Sequence, residues 1–179
     1  MNAMRTAAVL ALALVACSKE TKPASDTKSP APTPVTAPAV NALKVEPQVD
    51  TPDGATKRVA GDHFALDLAS SGCKAGAECT LTIKLAVEGD FHVNKDYPYR
   101  FLAAEAPGVE FLGKPDKTKF TKDAGDFVAD GEKTATMTVR FKPAAAGKTK
   151  VAGTYKMSVC SADQCQIEEP SLELVIPAS

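Results

Sequence analysis

Two stretches of this chain alternate apolar and polar residues with a period of two. Cys79, Leu81, Ile83, Leu85 and Val87 alternate with Thr80, Thr82, Lys84 and Ala86; Ala135, Met137, Val139 and Phe141 alternate with Thr134, Thr136, Thr138 and Arg140. Successive side chains of a strand point to opposite faces, so this period marks a strand with one face buried and one in water. A third alternation, Tyr155, Met157 and Val159 against Thr154, Lys156 and Ser158, runs directly into Cys160. Weaker strand patterns cover residues 63–68, 99–103, 109–112 and 172–176, and no window beyond Ala60 carries a helical stripe.

These strands fall at intervals of roughly ten residues and are divided by Gly, Pro and Asp, which predicts an all-β fold. The expected fold class is an antiparallel immunoglobulin-like β-sandwich spanning 59–179, a length sufficient for one core and too short for two.

The chain before it has a different character. Arg5 supplies a positive start, and residues 7–16 are uninterrupted apolar residues. Such a run is too short to span a bilayer as a helix, so residues 1–16 read as a signal peptide. Leu14-Val15-Ala16-Cys17 resembles the lipobox of bacterial lipoproteins. The resemblance implies cleavage before Cys17, lipidation of Cys17, and a membrane attachment through acyl chains. Ser18 in the next position, in a Gram-negative host, favours a lipid-anchored place in the cell envelope on the outer membrane, facing the periplasm. Residues 17–58 then read as the lipidated Cys followed by a disordered tether. Their Pro, Ala, Lys and Thr content, as in Ser29-Pro30-Ala31-Pro32-Thr33-Pro34, shows no apolar period that could offset the entropy of ordering.

Of the five cysteines, Cys17 is assigned to lipid, and the others form two close pairs, Cys73 with Cys79 and Cys160 with Cys165. In an exported domain such a set reads as disulfides. Cys79 shares a face with Leu81 and Ile83, so Cys73–Cys79 is expected to be structural. Ser161, Ala162, Asp163 and Gln164 form a polar turn, so Cys160 and Cys165 flank a hairpin and can face each other across it. By strand parity Cys160 falls with Lys156 and Ser158 on the polar face, within reach of a partner. Closing so short a loop removes about 2 kcal/mol of unfolded-state entropy, which leaves room for a redox role. Asp163 beside Cys165 would disfavour its thiolate, so Cys160 is the expected attacking thiol.

Other chemistry finds weaker signals. His63 and His92 are the only histidines; with the cysteines they could hold copper in an exported protein, but they lie in no recognised ligand spacing. No cofactor motif is present: Gly147-Lys148-Thr149 lacks the first glycine of a phosphate loop, that position being Lys142. No nucleophile elbow occurs. The net charge of −1 provides no broad basic field for nucleic acid. Lys114, Lys117, Lys119 and Lys122 fall in a long polar stretch, 113–131, which reads as a loop able to contact a partner. Phe91, Tyr97 and Tyr99 crowd the turn at 90–99, as core packing or as a lip over a site.

Gly89-Asp90-Phe91-His92-Val93, a strand-rich segment and then the cysteine hairpin together resemble the periplasmic N-terminal domain of the thiol:disulfide interchange proteins of the DsbD family. The resemblance covers about 110 residues, a span within the size of one domain. It implies an immunoglobulin-like fold, thiol–disulfide exchange with thioredoxin-like or other envelope thiol proteins through Cys160 and Cys165, and a covering loop bearing Phe91 or Tyr97. The chain departs from the family in having four residues rather than five between these cysteines, in lacking the Tyr-Pro-Pro that follows them, and in carrying Cys73 and Cys79. The sequence contains no membrane-embedded electron conduit, so another protein would be the reductant. The competing expectation is a noncatalytic binding or scaffold lipoprotein in which both disulfides are structural.

The lipobox reading predicts that the mature protein begins at Cys17 and carries lipid there. Intact-mass measurement on membrane-extracted protein checks it: an unmodified Cys17, or cleavage elsewhere, overturns the assignment.

Overall fold

The computed structural model describes residues 42–179, and all the regular structure in them is strand. The expected signal peptide, Cys17 and the larger part of the expected tether lie outside the described residues. In chain order the strands are β1 (Lys44–Val45), β2 (Val49–Thr51), β3 (Gly54–Ala60), β4 (Phe64–Ser71), β5 (Cys79–Val87), β6 (His92–Val93) and β7 (Arg100–Ala103). There follow β8 (Val109–Phe111), β9 (Lys119–Thr121), β10 (Phe127–Ala129), β11 (Thr134–Pro143), β12 (Gly147–Cys160), β13 (Cys165–Glu168) and β14 (Ser171–Ala178).

They form two antiparallel sheets. One runs β1-β3-β4-β5-β11-β10, with β2 also paired to β3 and β8 to β11; the other runs β13-β12-β7-β9, with β14 and β6 also on β12. The order β4-β5-β11-β10 opposite β13-β12-β7-β9 is the A-B-E-D over G-F-C-C′ arrangement of an immunoglobulin-like sandwich. The expected fold class is therefore the observed one.

The core follows from the alternation. Register pairs Ile83 with Met137, Leu81 with Val139 and Leu85 with Ala135, so the inward residues of β5 and β11 form one apolar surface. Val151, Tyr155, Met157 and Val159 of β12, with Leu172, Leu174 and Ile176 of β14 and Phe101 of β7, supply the other. Gly153 lets β7 approach β12 closely: a Cβ there would lie 2.4 Å from the Leu102 carbonyl oxygen and 2.5 Å from the Phe101 ring.

Strand β12 organises its sheet. Its pairing keeps one register from Gly147 opposite Ala178 to Cys160 opposite Cys165, so β13 and β14 are two parts of one edge. The break falls at Pro170, which has no N–H to give, although its carbonyl accepts from the Tyr155 N–H at 3.0 Å.

Two boundaries differ from expectation. Residues 44–58 belong to the sandwich and not to the tether: β3 pairs with β4 along its whole length, and Ala55 and Val59 are buried in the core. The sequence conceals this strand because Lys57, between Ala55 and Val59 on the same face, interrupts the apolar series. The stretch 113–131 is likewise no open loop, since it holds β9 and β10. Phe120 and Phe127 are core residues, and strands of three residues that each bury one large side chain show no period. Asp126, buried between them, accepts from the Thr121 N–H at 3.0 Å and pairs with Arg140 at 2.6 Å, tying an edge of one sheet to a strand of the other.

A protein beginning at residue 42 is expected to melt with the full chain. One beginning at Val59 loses β1, β2 and most of β3, uncovers β4, and should lose about 3 kcal/mol, or roughly 10 °C, in thermal unfolding followed by circular dichroism. Equal melting of the two would show that β3 contributes nothing.

Candidate functional site

The two cysteine pairs are both bridged and occupy opposite ends of the sandwich. Cys73–Cys79 has a Cα separation of 5.7 Å. Cys79 is paired in register with Phe141, both of its cysteines are buried among core residues, and Cys73 forms a bridge with Ala178, which faces Gly147 at the start of β12. Cys160–Cys165, with a Cα separation of 4.0 Å, closes the other end of β12. Strand rise places these ends about 40 Å apart.

The hairpin tip is built by local polar chemistry. The Ser161 N–H donates to the Gln164 carbonyl at 2.8 Å. The Ser161 hydroxyl accepts from the N–H groups of Asp163 and Gln164, each at 3.3 Å. This turn holds Cys165 directly opposite Cys160.

Parity places Cys160 on the face of Lys156 and Ser158, as the alternation predicts, but the expected accessibility is reversed. Cys160 is only 5% exposed, whereas Cys165 is exposed. The cause is the position of β12: its last residues have β13 on one side and β6 on the other, with Cys160 opposite Cys165 and also opposite His92. Ser158, two residues earlier on the same face, is buried as well. Cys165 sits on the sheet edge. Of the two cysteines it is therefore Cys165, and not Cys160, that solvent reaches.

The loop after β5 is firmly held. The Lys133 ammonium donates to the Gly89 carbonyl at 2.7 Å and to the Phe91 carbonyl, and the Val93 N–H donates to the Glu132 carbonyl at 2.7 Å. Phe91 is a core residue stacked on His63, with ring centroids 4.0 Å apart. Tyr97 is half-buried and meets Tyr99 edge-on at 5.4 Å. Both rings proposed as a covering lip are thus engaged with other rings. The loop residue in register with the disulfide is His92, exposed and beside Cys160. Sequence reading did not place His92 beside Cys160 because the two are distant in the chain and β6 has only two residues.

Tyr99 supports the same end of β12. Its hydroxyl donates to the Ser158 carbonyl, which also accepts from the Asn94 N–H at 3.2 Å, while the Asn94 side-chain amide donates to the Ser158 hydroxyl at 3.3 Å. Burial pushes the Tyr99 phenol up to about 12. Burial, reinforced by Tyr99, also pushes Tyr155 well above its ordinary value, and the Tyr155 hydroxyl is buried without a hydrogen-bond partner.

Beyond the cysteines lie further side chains on the same face. Ile167, opposite Ser158, is 63% exposed. Lys156 pairs with Glu169 at 2.6 Å and stands opposite Arg100. Of the basic cluster, Lys117 is turned to Glu110 at 2.7 Å, and Lys122 donates to the Lys95 carbonyl. Among the described residues no three His, Cys, Asp or Glu side chains converge as a metal site, and His63 and His92 enter different surroundings. Comparison with protein-family models, with curated proteins and with solved structures finds no match to this chain.

The tyrosines generate a pH prediction. A phenol with a raised folded-state pKa stays protonated in the fold after the unfolded chain has begun to ionise above pH 10, so its contribution is complete below pH 10 and is lost as pH rises through the folded value. Wild-type unfolding free energy should fall more steeply than that of Tyr99→Phe between about pH 10 and 12, by about 1.4 kcal/mol per pH unit. At pH 7, Tyr99→Phe should cost about 1 kcal/mol through the lost bond to Ser158, and Tyr155→Phe should be neutral or stabilising. Urea unfolding of the three proteins at several pH values checks all three statements.

Proposed function

We propose that this domain is a thiol–disulfide exchange module of the cell envelope, acting through Cys160 and Cys165 and held at the membrane by lipid on Cys17. The observation that carries the reading is the asymmetry of the hairpin disulfide, with one cysteine exposed on a sheet edge and the other buried beside it. The Cys73–Cys79 bridge, with both cysteines in the core, has no such accessible sulfur.

The chemistry follows from that asymmetry. A partner thiolate attacks the Cys165 sulfur, forming a mixed disulfide and releasing Cys160 as a thiolate, which takes up a proton. The partner's second thiol then attacks its own sulfur in the mixed disulfide and releases Cys165. The partner dithiol has lost two electrons and two protons, and the Cys160–Cys165 pair has gained them; the reverse sequence reduces a partner disulfide. An immunoglobulin-like scaffold does not itself imply this activity, because such sandwiches host many functions. The support is the position of the pair at the tip of the last hairpin, together with the sequence resemblance to interchange-protein domains.

The reading predicts that Cys160→Ser, which removes the buried resolving thiol, accumulates a reductant-sensitive adduct through Cys165 with a thioredoxin-like envelope protein after acid quenching. Cys165→Ser should accumulate less, and the double variant Cys73→Ser with Cys79→Ser should accumulate none. The hairpin disulfide should also have the higher reduction potential. Two potentials well below about −300 mV, with no adduct in either single variant, would instead make both bridges structural elements of a noncatalytic binding sandwich.

A further inference from the structure

We infer that His92 is the acid–base partner of Cys160 during exchange. The inference rests on the exchange reading and assigns a further residue to the same site. Strand β12 is paired on both sides at its last residue, so His92, Cys160 and Cys165 form one row across three strands. Directly opposed residues of antiparallel strands project from the same face, with Cβ atoms about 4.5–5.5 Å apart. His92 therefore flanks Cys160 on one side and the bridged Cys165 flanks it on the other.

This position answers a difficulty that the burial of Cys160 creates. When an incoming thiolate bonds to the Cys165 sulfur, the electron pair of the broken S–S bond goes to Cys160. That charge forms on a residue 5% exposed, where burial disfavours a thiolate. An imidazolium alongside stabilises the charge and transfers its proton to the sulfur, leaving neutral His92 and the Cys160 thiol. In the return step neutral His92 takes that proton, and the Cys160 thiolate attacks the mixed disulfide and expels the partner thiolate. Histidine suits both directions because imidazoles change charge between pH 5 and 8.

The surroundings keep His92 in place and leave it accessible to solvent. Val93, the next residue, is fixed by the Glu132 carbonyl and by pairing with Val159. Charged and titratable groups on the segments around β6 include Glu88, Asp90, Lys95, Asp96, Tyr97 and Tyr99 on its own flanks, Glu132 and Lys133 before β11, His63 against Phe91, Asp163 in the hairpin turn, and, on the Cys160 face of β12, Lys156 paired with Glu169. Lys133 is engaged with the Gly89 and Phe91 carbonyls. None of them lies in the register row that holds the disulfide.

The test is the rate at which dithiothreitol reduces each disulfide of the full-length protein between pH 5 and 8.5, read by alkylation and mass spectrometry and corrected for the thiolate fraction of the reagent. In wild type the corrected rate for Cys160–Cys165 should rise about tenfold toward low pH, a modest share of what acid catalysis can supply, with an inflection in the imidazole range. His92→Gln should flatten the profile and slow the reaction about tenfold at pH 5.5. His92→Lys, which keeps a cation, should remain fast without the inflection. Cys73–Cys79 is the internal control, and its rate should not respond to either substitution. A rapidly reduced Cys160–Cys165 whose wild-type profile has no inflection, or whose profile is unchanged in His92→Gln, overturns the role of His92 and leaves the exchange reading standing. Equally slow reduction of both disulfides in every protein overturns both. If His92→Gln lowers the melting temperature, the wild-type profile and His92→Lys decide.

Discussion

The ladder along β12 is the constraint on which this sheet depends. Strands β6, β7, β13 and β14 all pair with it, and its inward residues Tyr155, Met157 and Val159 are fully buried. Backbone pairing on both flanks fixes each side chain of its last turns to one face and one row. Cys160 is the end of that ladder. Its burial, the exposure of Cys165 and the adjacency of His92 are three consequences of one register, and a slip by a single residue would turn all of them to the opposite face.

Much of the fold was legible because its central strands are amphipathic. In β5 and β11 every second residue is apolar, and β12 repeats the pattern up to Cys160, so the sandwich and the hairpin disulfide could be read directly from spacing. The edges were not legible. Strand β3 places Lys57 on its inward row, β9 and β10 bury one aromatic ring each, and β6 is too short for any period. These strands exist because the long ones offer them unpaired backbone groups, which is tertiary information. For the same reason parity put Cys160 on the correct face but misjudged its exposure: parity knows the face and not what pairs alongside. His92 was legible only as a possible copper ligand and as part of the Gly89–Val93 motif, since its place beside Cys160 is a register across nearly seventy positions of sequence.

The two disulfides place one chemical bond in different physical settings. Cys73–Cys79 joins the start of β5 to the short bridge with Ala178, and its atoms fill core volume that any substitution would have to refill. Cys160–Cys165 spans a turn already closed by Ser161 and Gln164. The ladder and the serine turn would define that hairpin even with the bond open.

Pro170 sharpens that separation. Because it offers no N–H, the edge opposite β12 is divided into β13, four residues long, and β14, eight residues long. The longer piece carries Leu172, Leu174 and Ile176 into the core. The shorter piece carries Cys165 and exposed Ile167. Mechanically the proline acts as an expansion joint: it separates the four residues that carry Cys165 from the strand anchoring the sandwich, so a displacement of the tip need not pass into the register of the core.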